Sequence, residues 1–239
     1  MCRRMRHLKP REIQGCQLAL DASIPTSLYD ATSGGSLTAA NGIVARWEDQ
    51  SGNARHATSG TGGNQPLRRV GGLNGVDTIQ FDGVNDAMTH GATSGGDPNT
   101  LFAVCRAVST QSGYRGITSY GNSGTSAGAM LLMRTSSSAN FGSYGSSDIA
   151  STYSQGTAAF TASITDAGGG VYAMHAKGSS AGSGASSNPL SQAVANIGGI
   201  VGQSTDMHLG AIAIYNLALS EAVIRRLHGS GMRKWRING

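Results

Sequence analysis

Hydrophobic residues come in short runs along most of this chain, each closed by glycine, serine, threonine, asparagine or aspartate. Apolar runs bounded by turn-formers read as strands. They predict strands at Gln17–Leu20, Ile43–Trp47, Thr78–Phe81, Thr100–Ala107, Arg115–Ser119, Ala129–Arg134 and Ala139–Gly142. Further runs follow at Ala158–Thr165, Gly170–Ala176, Ala195–Gly199 and Asp206–Tyr215. So many strands imply two packed sheets. The stretches Thr58–Asn64, Gly121–Gly128 and Gly178–Asn188 read as loops by composition. After Asn216 the period changes: Ser220 can cap a helix whose first turn carries Glu221, and Val223, Ile224 and Leu227 fall on one face. Gly229 and Gly231 are expected to interrupt or end it, and Trp235 to fold back onto the sheets as the last anchor.

Composition supports strands over helices. Only 13% of the 239 residues are charged and 36 are glycine, too few charges for long amphipathic helices with polar outer faces. Neither a repeat nor a strong linker is visible, so the reading is a basic N-terminal arm, residues 1–15, followed by one β-sandwich domain, residues 16–239. No apolar run reaches the ~18 residues of a membrane span. The N-terminus has the positive charges of a secretory leader without the apolar stretch behind them, so no signal peptide is expected. Cys2, Cys16 and Cys105 form no C-x-x-C pair and are odd in number, which argues against a disulfide framework or a zinc site. Cys105, inside an apolar run, reads as a packed core thiol.

The net charge of +5 is concentrated at the two ends. Arg3, Arg4, Arg6, Lys9 and Arg11, with His7, form one cluster; Arg225, Arg226, Arg233, Lys234 and Arg236 form the other. Such clusters attract phosphates or acidic partners without sequence preference. The alternatives are a solvated basic terminus and an assembly arm. The second is adopted here, with other assembly proteins as partners, an oligomeric state, and no expected role for nucleic acid.

The ordered motifs LALDAS at Leu18–Ser23, WEDQSGNARHA at Trp47–Ala57, IQFDGVNDAM at Ile79–Met88 and IAIYNLALSEAVIRRLHGSGMRKW at Ile212–Trp235 resemble laminin-G-like, concanavalin A-like domains. The likeness covers both ends of the chain, and the middle matches only in style. It implies an all-β fold, a two-sheet antiparallel jelly-roll β-sandwich with a short C-terminal helix. It further implies a structural or binding component of a larger assembly, such as a bacteriophage head-decoration, fibre or tail protein at the virion surface. The alternative is an extracellular lectin-like carbohydrate-binding module.

Candidate chemistry is sparse. Asp49, Asn53, Asp82 and Asp86 suit tight turns whose backbone N–H groups are satisfied by side chains. As hard oxygen donors they are also the candidate ligands should calcium be the cofactor. Tyr114, Tyr120, Tyr144 and Tyr153, with Asn122, Asn140 and Asp148, sit in or beside polar loops and are the candidate glycan contacts. No E-x-D-x-E strand places paired carboxylates on one face, as glycosidases of this fold class do. Two G-x-S-x-G matches, Gly124–Gly128 and Gly178–Gly182, lack a following helix. His56, His90, His175 and His208 read as surface or turn histidines. On these grounds the chain is expected not to be an enzyme, with glycoside hydrolysis as a remote alternative.

Overall fold

A computed structural model describes residues 8–60, 62–91, 99–109, 113–122, 127–134, 140–142, 150–154, 157–167, 171–185, 195–200 and 203–238. In chain order its strands begin with β1 (Cys16–Asp21), β2 (Leu28–Tyr29), β3 (Arg46–Trp47), β4 (Ala57–Thr58), β5 (Leu67–Leu73), β6 (Val76–Asp82) and β7 (Met88–His90). The middle of the chain contributes β8 (Asn99–Ala107), β9 (Tyr114–Asn122), β10 (Ala127–Arg134), β11 (Asn140–Gly142), β12 (Ala150–Ser154) and β13 (Phe160–Asp166). Then come β14 (Val171–Ala176), β15 (Ser179–Ala185), β16 (Asn196–Ile197), β17 (Gly199–Ile200), β18 (Gln203–Ser204), β19 (Asp206–Tyr215) and the helix α1 (Glu221–Lys234). The first sheet runs β15-β14-β13-β8-β19-β6-β5 with β1 also on β19, the second β12-β11-β10-β9-β16-β7-β4-β3-β2, and β17 and β18 form a hairpin. All pairings among the described residues are antiparallel. The two-sheet antiparallel sandwich with a C-terminal helix expected from the sequence is the architecture found.

Strand β19 is the spine. One edge pairs with β8 throughout; the other pairs first with β6, through Asp206–Leu209, and then with β1, through Ala211–Tyr215. The changeover falls at Gly210, where the register against β8 slips and the carbonyl accepts the Ala22 N–H at 2.9 Å. A bulge residue bends its strand and strengthens the local twist. Side chains on β8 then alternate between two cores. Leu101, Ala103 and Cys105 face the second sheet with Ile212, Ile214, Leu18, Trp47 and Ile117, whereas Phe102 and Val104 join Ala211, Ala213, Tyr215, Leu227, Trp235 and Ile237 under the helix. Burial on both faces explains why β8 is almost uniformly apolar rather than alternating.

Several expectations are corrected. The predicted loop Gly178–Asn188 contains β15, and the ends of the predicted loops Thr58–Asn64 and Gly121–Gly128 belong to β4, β9 and β10. Strand β5 escaped prediction because Arg68, Arg69, Gly71 and Gly72 hide any apolar pattern; its backbone is held by pairing with β6. The helix does not end at Gly229 or Gly231. At Gly231 it comes so close to the first sheet that a Cβ would lie 3.1 Å from Phe102 Cζ and 3.1 Å from Thr161 Cγ2, so the missing side chain permits the packing. Ser220 occupies the N-cap position, but its side chain makes no capping hydrogen bond. Trp235 is the anchor expected of it, 3% exposed, with its indole over Gly210.

Candidate functional site

The motif around Asp49 is a staple between the β3–β4 connection and β1. Asp49 Oδ1 accepts the N–H groups of Ala19 at 2.9 Å and Ser51 at 2.8 Å, while Oδ2 accepts Ser51 Oγ–H at 2.6 Å and Arg55 N–H at 3.1 Å. Asn53 Nδ2 donates to the carbonyls of Cys16 and Gln17, both at 3.1 Å. His56 Nδ1 accepts the Asp49 N–H at 3.1 Å, which fixes that nitrogen as unprotonated. Most of the motif's hydrogen bonds go to backbone, and Ser51 Oγ links its side chains to one another.

The second acidic motif behaves similarly. Asp82 Oδ1 gathers the N–H groups of Val84, Asn85 and Asp86 at 2.8–3.3 Å, and Asp86 Oδ2 accepts the Asp82 N–H at 2.9 Å. Desolvation works against ionisation of Asp82, but the hydrogen bonds outweigh it and hold the carboxyl below its usual range. Burial, with a contribution from the Asp82 charge, pushes Asp86 up to about 6. Among the described residues no three His, Cys, Asp or Glu side chains are grouped to hold a metal ion. The candidate calcium set of Asp49, Asn53, Asp82 and Asp86 is therefore two separate turns, not one ligand shell.

The candidate glycan residues divide between the two ends of the second sheet. Tyr114 opposes Arg134, Arg134 opposes Asn140, and Asn140 opposes Ser154, so one row crosses β9, β10, β11 and β12 with Tyr153 beside its last member. Tyr120 opposes Ala129 and Asn122 opposes Ala127, at the other end of β9. Tyr144 and Asp148 lie outside the described residues. Arg134 joins this row by strand register alone, which spacing along the chain could not disclose.

A cleft of about 460 Å³ lies between α1, β1 and the segment Leu8–Arg11. Phe102, Ala211, Leu227 and Trp235 contribute apolar lining; Lys9, Arg11, Arg233 and Lys234 contribute charge. The Lys234 ammonium pairs with Asp21 and sits 4.8 Å from the Trp235 ring centroid. The N-terminal segment is tied down where it passes the cleft: Leu8 N–H donates to Ser230 Oγ at 3.1 Å and Tyr215 O–H to the Pro10 carbonyl at 3.1 Å. Lys9 and Arg11 of the basic arm are exposed here, whereas Arg3, Arg4 and Arg6 lie outside the described residues.

Three of the four histidines expected at the surface or in turns are buried. His90 and His175 are each 7% exposed and His208 9%. Desolvation lowers all three, His90 and His208 to about 4. The second G-x-S-x-G match lies on the β14–β15 hairpin and not on a strand-to-helix elbow; residues 124–126 of the first lie outside the described residues. Burial pushes the Cys16 thiol up to about 12 and Cys105 higher still, and both cysteines are free. No described helix is long and apolar enough to cross a membrane.

No family model matches the chain, and no curated protein matches it in sequence. Solved structures do. An arabinofuranosidase complexed with arabinofuranosyl-α-1,2-xylobiose superposes on 94% of the chain with a TM-score of 0.66 and 18% identity. The binding domain of Paraclostridial Mosquitocidal Protein 1 covers 92% at 0.64 and 13% identity, and Trypanosoma rangeli sialidase covers 90% at 0.61 and 16% identity. The chain is a β-sandwich. It spans 64% of the arabinofuranosidase chain, 53% of the mosquitocidal one and 33% of the sialidase, and at these identities the likeness shows the fold alone. The expectation that the chain is not an enzyme is corrected by this finding, because two of the three named structures are hydrolases. None of the three is a virion protein.

Proposed function

We propose that the chain is a concanavalin A-like carbohydrate-recognition module, and that its glycan lies along the row Tyr114, Arg134, Asn140 and Ser154. The row carries the proposal: Tyr114, Arg134 and Asn140 stand opposite one another in register across β9, β10 and β11 and so share one face of the second sheet, and tyrosine, arginine and asparagine are residue types that sugar sites use. The enzymes and the binding domain that share the fold support the same reading. The test is a glycan panel with the wild type and the variants Tyr114→Ala, Asn140→Ala and Tyr120→Ala, read in parallel for hydrolysis of each glycan. About tenfold loss of affinity in the first two and none in the third is the expected result; an unchanged profile in all three would remove the row. A second reading, docking into a larger assembly such as a virion, is supported by Lys9 and Arg11 at the mouth of the apolar cleft. The occupant would be an acidic and apolar segment of a partner. Lys9→Glu with Arg11→Glu should then abolish co-assembly while leaving glycan binding intact.

A further inference from the structure

At the C-terminal end of α1, on the helix-bearing face of the first sheet, a second cavity of about 250 Å³ is lined by Arg106, Lys177 and Arg236 together with Asn74, Thr157 and Asn238. No carboxylate is among its lining residues. Among the described residues none of the three cations is in an ion pair, and Arg106 Nε is buried without a hydrogen-bond partner. Like charges brought together without counter-charge destabilise a fold, and a buried unpaired donor does so further.

The backbone that presents two of the three cations, Lys177 and Arg236, is held in a conformation side chains rarely adopt. Non-glycine residues with positive φ are uncommon, yet three of them line this one cavity: Asn74 at 52°, Lys177 at 49° and Arg236 at 51°. Asn74–Gly75 and Lys177–Gly178 are two-residue hairpin turns with positive φ at both positions, closing β5–β6 at Leu73–Val76 and β14–β15 at Ala176–Ser179. Asparagine and glycine fit such turns; a lysine at the first position does not do so for conformational reasons.

Arg236 occupies the left-handed position after a helix, where glycine is the usual residue. Its N–H donates to the Arg233 carbonyl at 3.4 Å and the Ile237 N–H to Met232 at 2.8 Å, which completes the helix-ending motif. Asn74 Nδ2 then clamps the carbonyls of Trp235 and Arg236, at 3.0 and 3.1 Å. Three separate elements thus aim cations at one cavity, two of them from positions where another residue would be less strained. Strain retained at a convergent site is a sign of function.

We propose that this cavity is a binding site for a tetrahedral oxoanion, sulfate or phosphate, held by Arg106, Lys177 and Arg236. A guanidinium offers forked donors that match such a group and an ammonium adds a point charge. The volume falls below the roughly 300–1,000 Å³ of pockets for drug-sized ligands, so it suits an anionic group and not a whole oligosaccharide. The proposal rests on the charge and geometry of this cavity and stands apart from the glycan row.

The experiment titrates the intact chain with sodium sulfate and sodium phosphate against sodium chloride at matched ionic strength, following the melting midpoint and the heat of binding. Sulfate or phosphate should raise the midpoint above chloride by more in the wild type than in the charge-removing variants Lys177→Asn and Arg236→Asn, because the general stabilising effect of these salts is common to all and only a bound ligand adds to it. Lys177→Asn and Arg236→Asn remove the charges while keeping a residue that tolerates positive φ, so both variants should fold. Each should weaken the oxoanion about tenfold or more, since hydrogen bonds to charged groups are worth that much. Equal effects of all three salts, or full binding by both variants, would overturn the site. A monosaccharide sulfate compared with inorganic sulfate distinguishes a group carried on a sugar from the free ion, and either supports the cavity. Failure of the neutral glycans in the earlier panel removes the row and leaves this site standing.

Discussion

His228 lies between α1 and the first sheet with both ring nitrogens engaged, Nδ1 with Thr161 Oγ1 and Nε2 with Ser163 Oγ, each at 2.8 Å. Phe102 meets its ring edge-on at 5.2 Å between centroids. Desolvation, with His175 adding to it, pushes the imidazole down to about 3, so it is neutral and one hydroxyl must donate while the other accepts. His228→Leu would strand both hydroxyls and should lower unfolding stability by about 1–3 kcal/mol, measured by urea denaturation. Asp49→Ala should have a similar effect, about 1–3 kcal/mol, because Ala19 N–H is buried and loses its acceptor. Retention of wild-type stability would show that water replaces the carboxylate. The Asp49 turn was legible in the sequence because its partners Ser51 and Arg55 are close along the chain. His228 was not, since Thr161 and Ser163 come from a distant strand.

At the scale of elements, the last helix and β19 depend on each other through Gly210. A Cβ there would lie 2.5 Å from Trp235 Nε1, and valine would drive the indole out of its seat. Gly210→Val should therefore red-shift tryptophan emission and destabilise the fold by about 1–3 kcal/mol, the range for overpacked cores. Emission unchanged from wild type would mean that the helix end moves as a unit. The strand β19 was predicted with both ends correct because its run is long and mostly apolar. The hairpin β5–β6 was only half seen. Its Asn74–Gly75 turn is a strong local signal, but the arginines and glycines of β5 made no pattern for it to join. Strand β15, built of serine, glycine and alanine, carries no apolar pattern, and pairing with β14 supplies what its side chains do not.

For the molecule as a whole, titration follows from the buried histidines. His90 and His208 fall to about 4 and His228 to about 3 from an ordinary value of 6.5. The unfolded chain binds protons below about pH 6.5 that the folded chain refuses, so stability is lost as pH falls from there toward 4. Asp86, raised to about 6 from 3.8, opposes this by taking up a proton in the fold over the same window. Three histidines against one carboxyl leave a net loss. The melting midpoint should drop between pH 6.5 and 4; a flat or rising profile would refute the assignment. Calcium at millimolar concentration should leave the midpoint unmoved, because among the described residues no three acidic, His or Cys side chains are grouped to hold it and Asp49 and Asp82 Oδ1 already accept turn hydrogen bonds.

The sequence by itself determined the two-sheet sandwich, the terminal helix and the turns at Asp49 and Asp82, because alternation, helical period and side-chain-to-backbone bonding act over a few residues. Tertiary structure decided what shares a place: the row from Tyr114 to Ser154, the cleft beneath the N-terminal segment, and the convergence of Arg106, Lys177 and Arg236. Those groupings depend on strand register and on where helix and hairpins fold back, and long-range pairing fixes both.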